Sequence, residues 1–110
     1  MTLDEYQAQA LTTAIFSGDE FHDLCHWVLA INGEAGEIAE KLKKIIRDQK
    51  SVVTDEHKAE MAKEIGDVLW YLAILANHLG VPFDEIAHTN IAKLQSRKQR
   101  DKIAGAGDNR

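Results

Sequence analysis

The 110-residue sequence has a single cysteine, a single proline and few aromatic residues. One cysteine, Cys25, excludes a disulfide within the chain and is typical of a reducing compartment, so we expect the protein in the cytoplasm. A secretory signal is not expected, because Asp4 and Glu5 stand where an apolar segment would be needed. The longest apolar run, VLWYLAIL, is much shorter than the roughly 20 residues that span a bilayer, so no membrane partner is expected either.

Basic residues are also fewer than acidic ones, 13 against 18, which gives a formal net charge of -5. Proteins that bind nucleic-acid polymers usually carry a basic face, so we expect no such partner. The basic residues are nevertheless unevenly distributed, which leaves a small anionic ligand open. One short segment near the C-terminus holds Lys93, Arg97, Lys98, Arg100 and Lys102.

Composition and apolar periodicity predict an all-α fold with four helices in one domain. Residues 1–103 are expected to form this domain and 104–110 a glycine-rich tail, which is either disordered or folded over a bound nucleotide. Thr2 with Glu5 and then Thr54 mark helix starts, and Gly80 marks a helix end. The predicted helices cover about residues 2–16, from 18 or 20 to 48, 54–79 and 82–102.

Two of these helices are more apolar than a monomer of this size can bury. The second carries an apolar stripe at helical spacing, and the third contains VLWYLAIL, which is apolar on every face. A helix that is apolar all round must be surrounded by other elements. We therefore predict a four-helix bundle-type fold completed by dimerisation with a second subunit. The predicted stripe is Phe21, Leu24, Val28, Ile31, Ala35, Ile38, Leu42 and Ile45.

Acidic residues lie among the apolar positions of these same two helices. In INGEAGEIAEKL, Glu34 and Glu37 project together, and in KEIGDVLWYLAIL so do Glu64 and Asp67. If the helices pack antiparallel, the four carboxylates converge. Two such charges about 4 Å apart repel by roughly 4 kcal/mol at an effective dielectric near 20, so protonation or a divalent cation is needed. All-oxygen ligands predict Mg²⁺, with Mn²⁺ as a substitute, and Mg²⁺ commonly shares its coordination with phosphate oxygens.

The two acidic stretches together resemble the MazG-like family of nucleoside triphosphate pyrophosphohydrolases. That family has an E-x-x-E pair on one helix, matched by Glu34 and Glu37, and an E-x-x-D pair on the next, matched by Glu64 and Asp67. The resemblance implies an all-α fold, dimers or tetramers, and Mg²⁺-assisted hydrolysis of (d)NTP to (d)NMP and pyrophosphate. It also implies that these four carboxylates are both the metal ligands and the catalytic residues.

A third stretch, TNIAKLQSRK, is similar to the Asn-x-x-Lys-x-x-x-Arg pattern of the same family. The resemblance implies that Lys93 and Arg97 offset phosphate charge and that Asn90 positions a phosphate or sugar oxygen. His26 and Trp27 precede Glu34 by two helical turns and are candidates for a nucleobase pocket, although core packing is the alternative for Trp27.

Several alternatives remain open at this point. The substrate could be an ordinary (d)NTP, dUTP or a modified nucleotide, or the alarmone ppGpp, and the role could be sanitation or remodelling of a nucleotide pool. A non-catalytic helical dimerisation module is the alternative class, but it leaves the matched buried acids unexplained. A ferritin-like di-iron site requires Glu-x-x-His pairs, and the HDLCH segment lacks the glutamate of a zincin helix. Glu40 is expected to pair with Lys43 or Lys44 at the surface.

Overall fold

The computed structural model describes residues 1–48, 50–101 and 103–108. Within these residues the secondary structure is helical and contains no strand, as predicted. Lys102 of the basic segment and the last two residues of the tail lie outside the described residues. The helices are α1 (Leu3–Leu11), α2 (Glu20–Asp48), α3 (Asp55–His78) and α4 (Phe83–Gln99).

The start of α1 follows the prediction, but its end does not. Thr2 caps the helix, because its extended backbone lets the hydroxyl accept a hydrogen bond from the Glu5 N–H at 3.0 Å. The helix was predicted to reach residue 16 but ends at Leu11. The next two residues, Thr12 and Thr13, donate their hydroxyls to carbonyls of the last turn at 2.6 and 2.9 Å. Such local side-chain bonds compete with helix continuation.

The bounds of α3 agree closely with the local sequence signals. The Thr54 hydroxyl accepts from the His57 N–H at 3.2 Å, and His57 Nδ1 accepts from the Thr54 N–H at 3.1 Å. This reciprocal pair satisfies two backbone donors at the helix start. At the other end, Gly80 adopts a φ of +71°, which glycine reaches without strain, and Pro82 follows.

The core of the chain is small and lies where α1, α2 and α4 meet the C-terminal half of α3. Trp27 of α2 is its largest member, with only 1% of its surface exposed. Phe16 and Trp70 meet the Trp27 ring edge-on, at centroid distances of 6.0 and 6.3 Å. The fully buried members of this cluster are Ala10, Trp27, Ala73, Ile74, Ala76 and Phe83.

Shortening Ile74 is expected to reveal how much this small core stabilises the chain. Ile74 has 0% exposed surface, so Ile74→Ala should lower the free energy of unfolding by roughly 2–5 kcal/mol. Urea unfolding followed by tryptophan fluorescence at one protein concentration measures the change. Ile15→Ala is the matched control, because Ile15 is 87% exposed. Equal losses in both variants would contradict the assigned core.

The single chain is more open than a compact domain of its length. Its radius of gyration is 17.1 Å, against about 13 Å expected for a compact chain of this length. Its accessible surface is 7999 Å², which exceeds the expectation for 12.3 kDa by roughly 1,900 Å². In the residues that the structure describes, every helix is too short or too polar to cross a membrane.

The excess surface is partly apolar and includes much of the stripe predicted on α2. Phe21, Val28, Ala35 and Leu42 recur every seven residues on α2, yet all four are exposed, with 74%, 49% and 43% for the three large side chains. Of the predicted stripe only Ile45 is buried, because in the described residues α3 is the one helix whose backbone runs close to that of α2. Periodicity correctly identified an apolar face. One edge of this face is exposed, and the other edge is half-buried or buried, at Leu24, Ile31, Ile38 and Ile45.

Candidate functional site

The packing of α2 on α3 brings three of the four predicted carboxylates together. Glu34 comes from α2, and Glu64 and Asp67 come from α3. One oxygen from each side chain lies within 4.8 Å of the others. Glu34 and Glu64 are half-buried and Asp67 is exposed, so the group sits at the surface of the helix pair and is open to a ligand. This cluster of hard oxygen donors on two helices could hold a divalent cation.

Glu37 lies beside this group and is not part of it. Its side chain is exposed on α2, one turn after Glu34. It is still close enough to contribute to the electrostatics, since its charge helps to raise the pKa of Glu34. The structure thus places Glu37 at the margin of a three-carboxylate cluster.

The cluster is electrostatically unfavourable for Glu34. Loss of hydration raises the pKa of Glu34 above its ordinary value of 4.5, and the charges of Asp67, Glu64 and Glu37 raise it further. Each of these effects penalises the ionised form of the side chain. A bound cation would act in the opposite direction, because it favours ionised carboxylates.

Glu34→Gln is therefore expected to raise the melting temperature of the metal-free protein at neutral pH. A group whose folded pKa is raised favours folding below its unfolded pKa of 4.5, and this contribution is lost as the pH rises through the folded pKa. Wild type carries this penalty wherever folding requires an ionised Glu34, whereas glutamine carries none. The advantage of the variant should shrink to zero below pH 4.5 in EDTA-containing buffers. A constant difference at all pH values would contradict the assigned cause.

Two residues that the sequence analysis did not identify also contact or approach this cluster. Lys41, two turns after Glu34 on α2, places its Nζ 3.5 Å from Glu64 Oε1. Tyr6 of α1 is close enough to feel the Asp67 charge: burial and then this charge raise the pKa of the Tyr6 phenol. Lys41 has a sequence signal, since it shares the helix face of Glu34 and Glu37. Tyr6 has none, because tertiary packing of α1 on α3 brings it there.

The three predicted phosphate-contacting residues lie on α4. Asn90 is exposed, Lys93 is half-buried and Arg97 is only 4% exposed. Asn90 and Lys93 line a cavity of about 380 Å³ together with Val81 and other residues of the same region. Helix α4 packs against α1 and α3, and none of its Cα atoms lies within 8 Å of one in α2. The basic residues and Glu34 thus stand on helices whose backbones do not approach each other within 8 Å.

The described part of the C-terminal tail folds back onto these basic residues. Lys93 Nζ lies 3.2 Å from Asp108 Oδ1, and Arg97 Nη2 donates to the backbone carbonyl of Asp108 at 2.7 Å. The Arg97 Nη2 is also 3.6 Å from the Asp108 carboxylate. Hydrogen bonding from Lys93 and then from Arg97 holds the pKa of Asp108 below its ordinary value.

The candidates for a nucleobase pocket separate into one buried and one exposed residue. Trp27 is in the core, where His26 stacks on it at a centroid distance of 4.8 Å. The Trp27 ring is covered by protein, so in this conformation Trp27 packs in the core, which was the alternative to a role in binding a base. Its Nε1–H has no hydrogen-bond partner among the described residues.

Glu40 pairs with Lys43 at 3.1 Å on the surface, as predicted.

Comparison with known proteins identifies the family of the chain. The model of the MazG nucleotide pyrophosphohydrolase domain matches residues 24–100, which include every carboxylate of the cluster and all three predicted phosphate contacts. The chain is also 46% identical, over 114 aligned residues, to the Gene 37 protein of Mycobacterium phage L5, and the alignment covers the whole of both chains. No solved structure matches the chain. The extent of the domain match shows that the protein belongs to the MazG nucleotide pyrophosphohydrolase family.

Proposed function

We propose that the protein is a Mg²⁺-dependent nucleoside triphosphate pyrophosphohydrolase, which hydrolyses (d)NTP to (d)NMP and pyrophosphate. The observation that carries this proposal is the convergence of Glu34, Glu64 and Asp67 to within 4.8 Å inside the matched domain. A helical module that only dimerised would have no need for three acids in mutual repulsion. The cellular role would be sanitation or remodelling of the cytoplasmic nucleotide pool.

The donor set fits Mg²⁺ and, as a substitute, Mn²⁺. The three side chains offer only carboxylate oxygens, which these hard cations prefer, and no nitrogen or sulfur ligand belongs to the group. We assign Glu34, Glu64 and Asp67 as metal-binding catalytic residues. Glu37, which lies beside their cluster, is the fourth carboxylate that the resemblance to the family implies. When bound, the cation supplies charge neutralisation on the phosphate oxygens and acidifies the attacking water.

The protein's own side chains would bind and orient the phosphate chain. Lys41 holds Glu64 through its 3.5 Å ion pair and places a positive charge beside the carboxylates. Lys93 and Arg97 would offset charge on the phosphates, and the planar guanidinium can donate two parallel hydrogen bonds. Asn90 would position a phosphate or sugar oxygen. Because α4 packs on α1 and α3, these residues would approach the substrate from outside the α2–α3 pair.

We propose that a second copy of the chain covers the open face of α2, as a homodimer or a dimer of dimers. The surface in excess of a compact domain, roughly 1,900 Å², is more than the about 800 Å² that each partner buries in a standard interface. The seven-residue spacing of Phe21, Val28, Ala35 and Leu42 is the repeat with which one helix packs along another.

A nucleotide panel scored by kcat/KM tests the proposed activity and its substrate range. The panel contains the ordinary (d)NTPs, dUTP, an oxidised deoxynucleotide and ppGpp, each at saturating Mg²⁺. We expect pyrophosphate release from at least one (d)NTP and loss of release in EDTA. Preference for dUTP, a modified nucleotide or ppGpp would replace the substrate while keeping the site. The enzyme assignment would fall if no nucleotide were hydrolysed and Mg²⁺ also left the melting temperature unchanged.

A further inference from the structure

We propose that the C-terminal tail is an autoinhibitory strap, in which Asp108 occupies the cationic site of Lys93 and Arg97 that the substrate phosphates require. The inference deepens the proposed function and rests on it, because it concerns regulation of the same site. An incoming triphosphate would have to displace Asp108 before it could engage both side chains.

The geometry at Asp108 is that of a phosphate substitute. Lys93 and Arg97 stand four residues apart on α4 and therefore project side by side. Asp108 engages Lys93 with its carboxylate at 3.2 Å and Arg97 with its backbone carbonyl at 2.7 Å. A single residue thus presents anionic and neutral oxygens to both cations, and these are the donors that would otherwise bind phosphate oxygens.

The tail returns to α4 through backbone conformations with positive φ, which glycine adopts without strain. Gly105 and Gly107 have φ values of +126° and +87°, in a region where side chains cause strain. Asp101, just after α4, has a φ of +57° and starts the reversal of the chain. The glycine-rich sequence is therefore a specific turn that returns Asp108 to α4.

The strength of the contact suits a strap that a substrate can displace. The Asp108 side chain is 85% exposed, so solvent weakens its ion pair with Lys93. The Arg97 side chain is 5% exposed, and its contact with the tail carbonyl is correspondingly better shielded. A triphosphate carries several negative charges and would compete well against one carboxylate. The strap should thus lower the apparent affinity by the fraction of time that it is closed.

Binding of inorganic tripolyphosphate, measured by calorimetry in EDTA, tests the strap without requiring activity. Two variants of the full chain release it in different ways: Asp108→Asn weakens the ion pair, and Gly107→Ala strains the turn while keeping the charge. Each should bind tripolyphosphate about two- to tenfold more tightly than wild type. Asp55→Asn is the matched control, because it makes the same change of charge at a fully exposed residue at the start of α3, outside the tail, and its affinity should equal that of wild type.

Unchanged or weaker binding in both release variants would overturn the strap. Weaker binding in particular would mean that the tail closes over the ligand and helps to hold it. Equal tightening in the Asp55 control would also overturn it, because net charge alone would then explain the effect. If the release variants bind more tightly but no nucleotide is hydrolysed, the proposed function fails and the strap stands. Where hydrolysis is observed, the same variants should lower KM by a similar factor and leave kcat unchanged.

Discussion

Asp67→Asn is expected to reduce kcat by roughly 10²- to 10³-fold while the protein remains folded. Asp67 supplies one of the three oxygens that meet within 4.8 Å, and a neutral amide is a much weaker partner for a hard cation. The substitution also removes one of the charges that raise the pKa of Glu34, so the metal-free protein should be at least as stable as wild type. Steady-state pyrophosphate release and thermal unfolding in EDTA measure the two effects.

Glu60→Gln provides the matched control on the same helix. Glu60 is exposed on α3, one turn before Glu64, and does not belong to the carboxylate cluster. Its replacement makes the same change in charge and should leave kcat within about twofold of wild type, as is usual for surface substitutions. Comparable losses in both variants would indicate a general charge effect, and substantial turnover by Asp67→Asn would mean that the metal ligands lie elsewhere.

Introducing acids into the open apolar stripe of α2 is expected to break the assembly and, with it, activity. The double variant Phe21→Glu, Val28→Glu places two charges seven residues apart on a face that is 74% and 49% exposed at these positions. Burying unpaired charges in an interface costs several kcal/mol, which is enough to dissociate a moderate dimer. Light scattering after size exclusion should show a dimer or tetramer for wild type and a monomer for the variant, with activity reduced at least about tenfold.

A control variant with one acid outside the stripe distinguishes loss of the interface from the loss of any exposed apolar side chain. Ile15→Glu alters a residue in the connection between α1 and α2 that is 87% exposed. It should change neither the number of subunits in the assembly nor the activity. Circular dichroism establishes that both variants keep their helices. A wild-type monomer at micromolar concentration, or a fully active monomeric variant, would refute the proposed role of the second subunit.

Much of the fold was predictable because the relevant signals are local. The N-caps at Thr2 and Thr54 and the left-handed Gly80 each depend on one turn of chain. The end of α1 was predicted wrongly, because threonine hydroxyls compete there with the helix by bonding its last carbonyls. Periodicity identified the apolar face of α2 but could not show that Val28 faces outward while the adjacent Trp27 is buried.

The candidate site was predictable to a similar extent and for the same reason. Helical spacing places Glu64 beside Asp67, and antiparallel packing brings Glu34 to them. Tyr6 and Asp108 could not have been found in this way, because their positions depend on tertiary packing and on the backbone angles of a glycine turn. Sequence spacing thus identifies groups that share a helix face, but not the partners that other elements bring to them.

The most direct test of the central claim is the stoichiometry of products formed from a preferred (d)NTP with and without Mg²⁺. We expect one pyrophosphate for each (d)NMP, no reaction in EDTA, and recovery when Mg²⁺ or Mn²⁺ is restored. Release of orthophosphate with formation of (d)NDP, or hydrolysis that persists in EDTA, would contradict it.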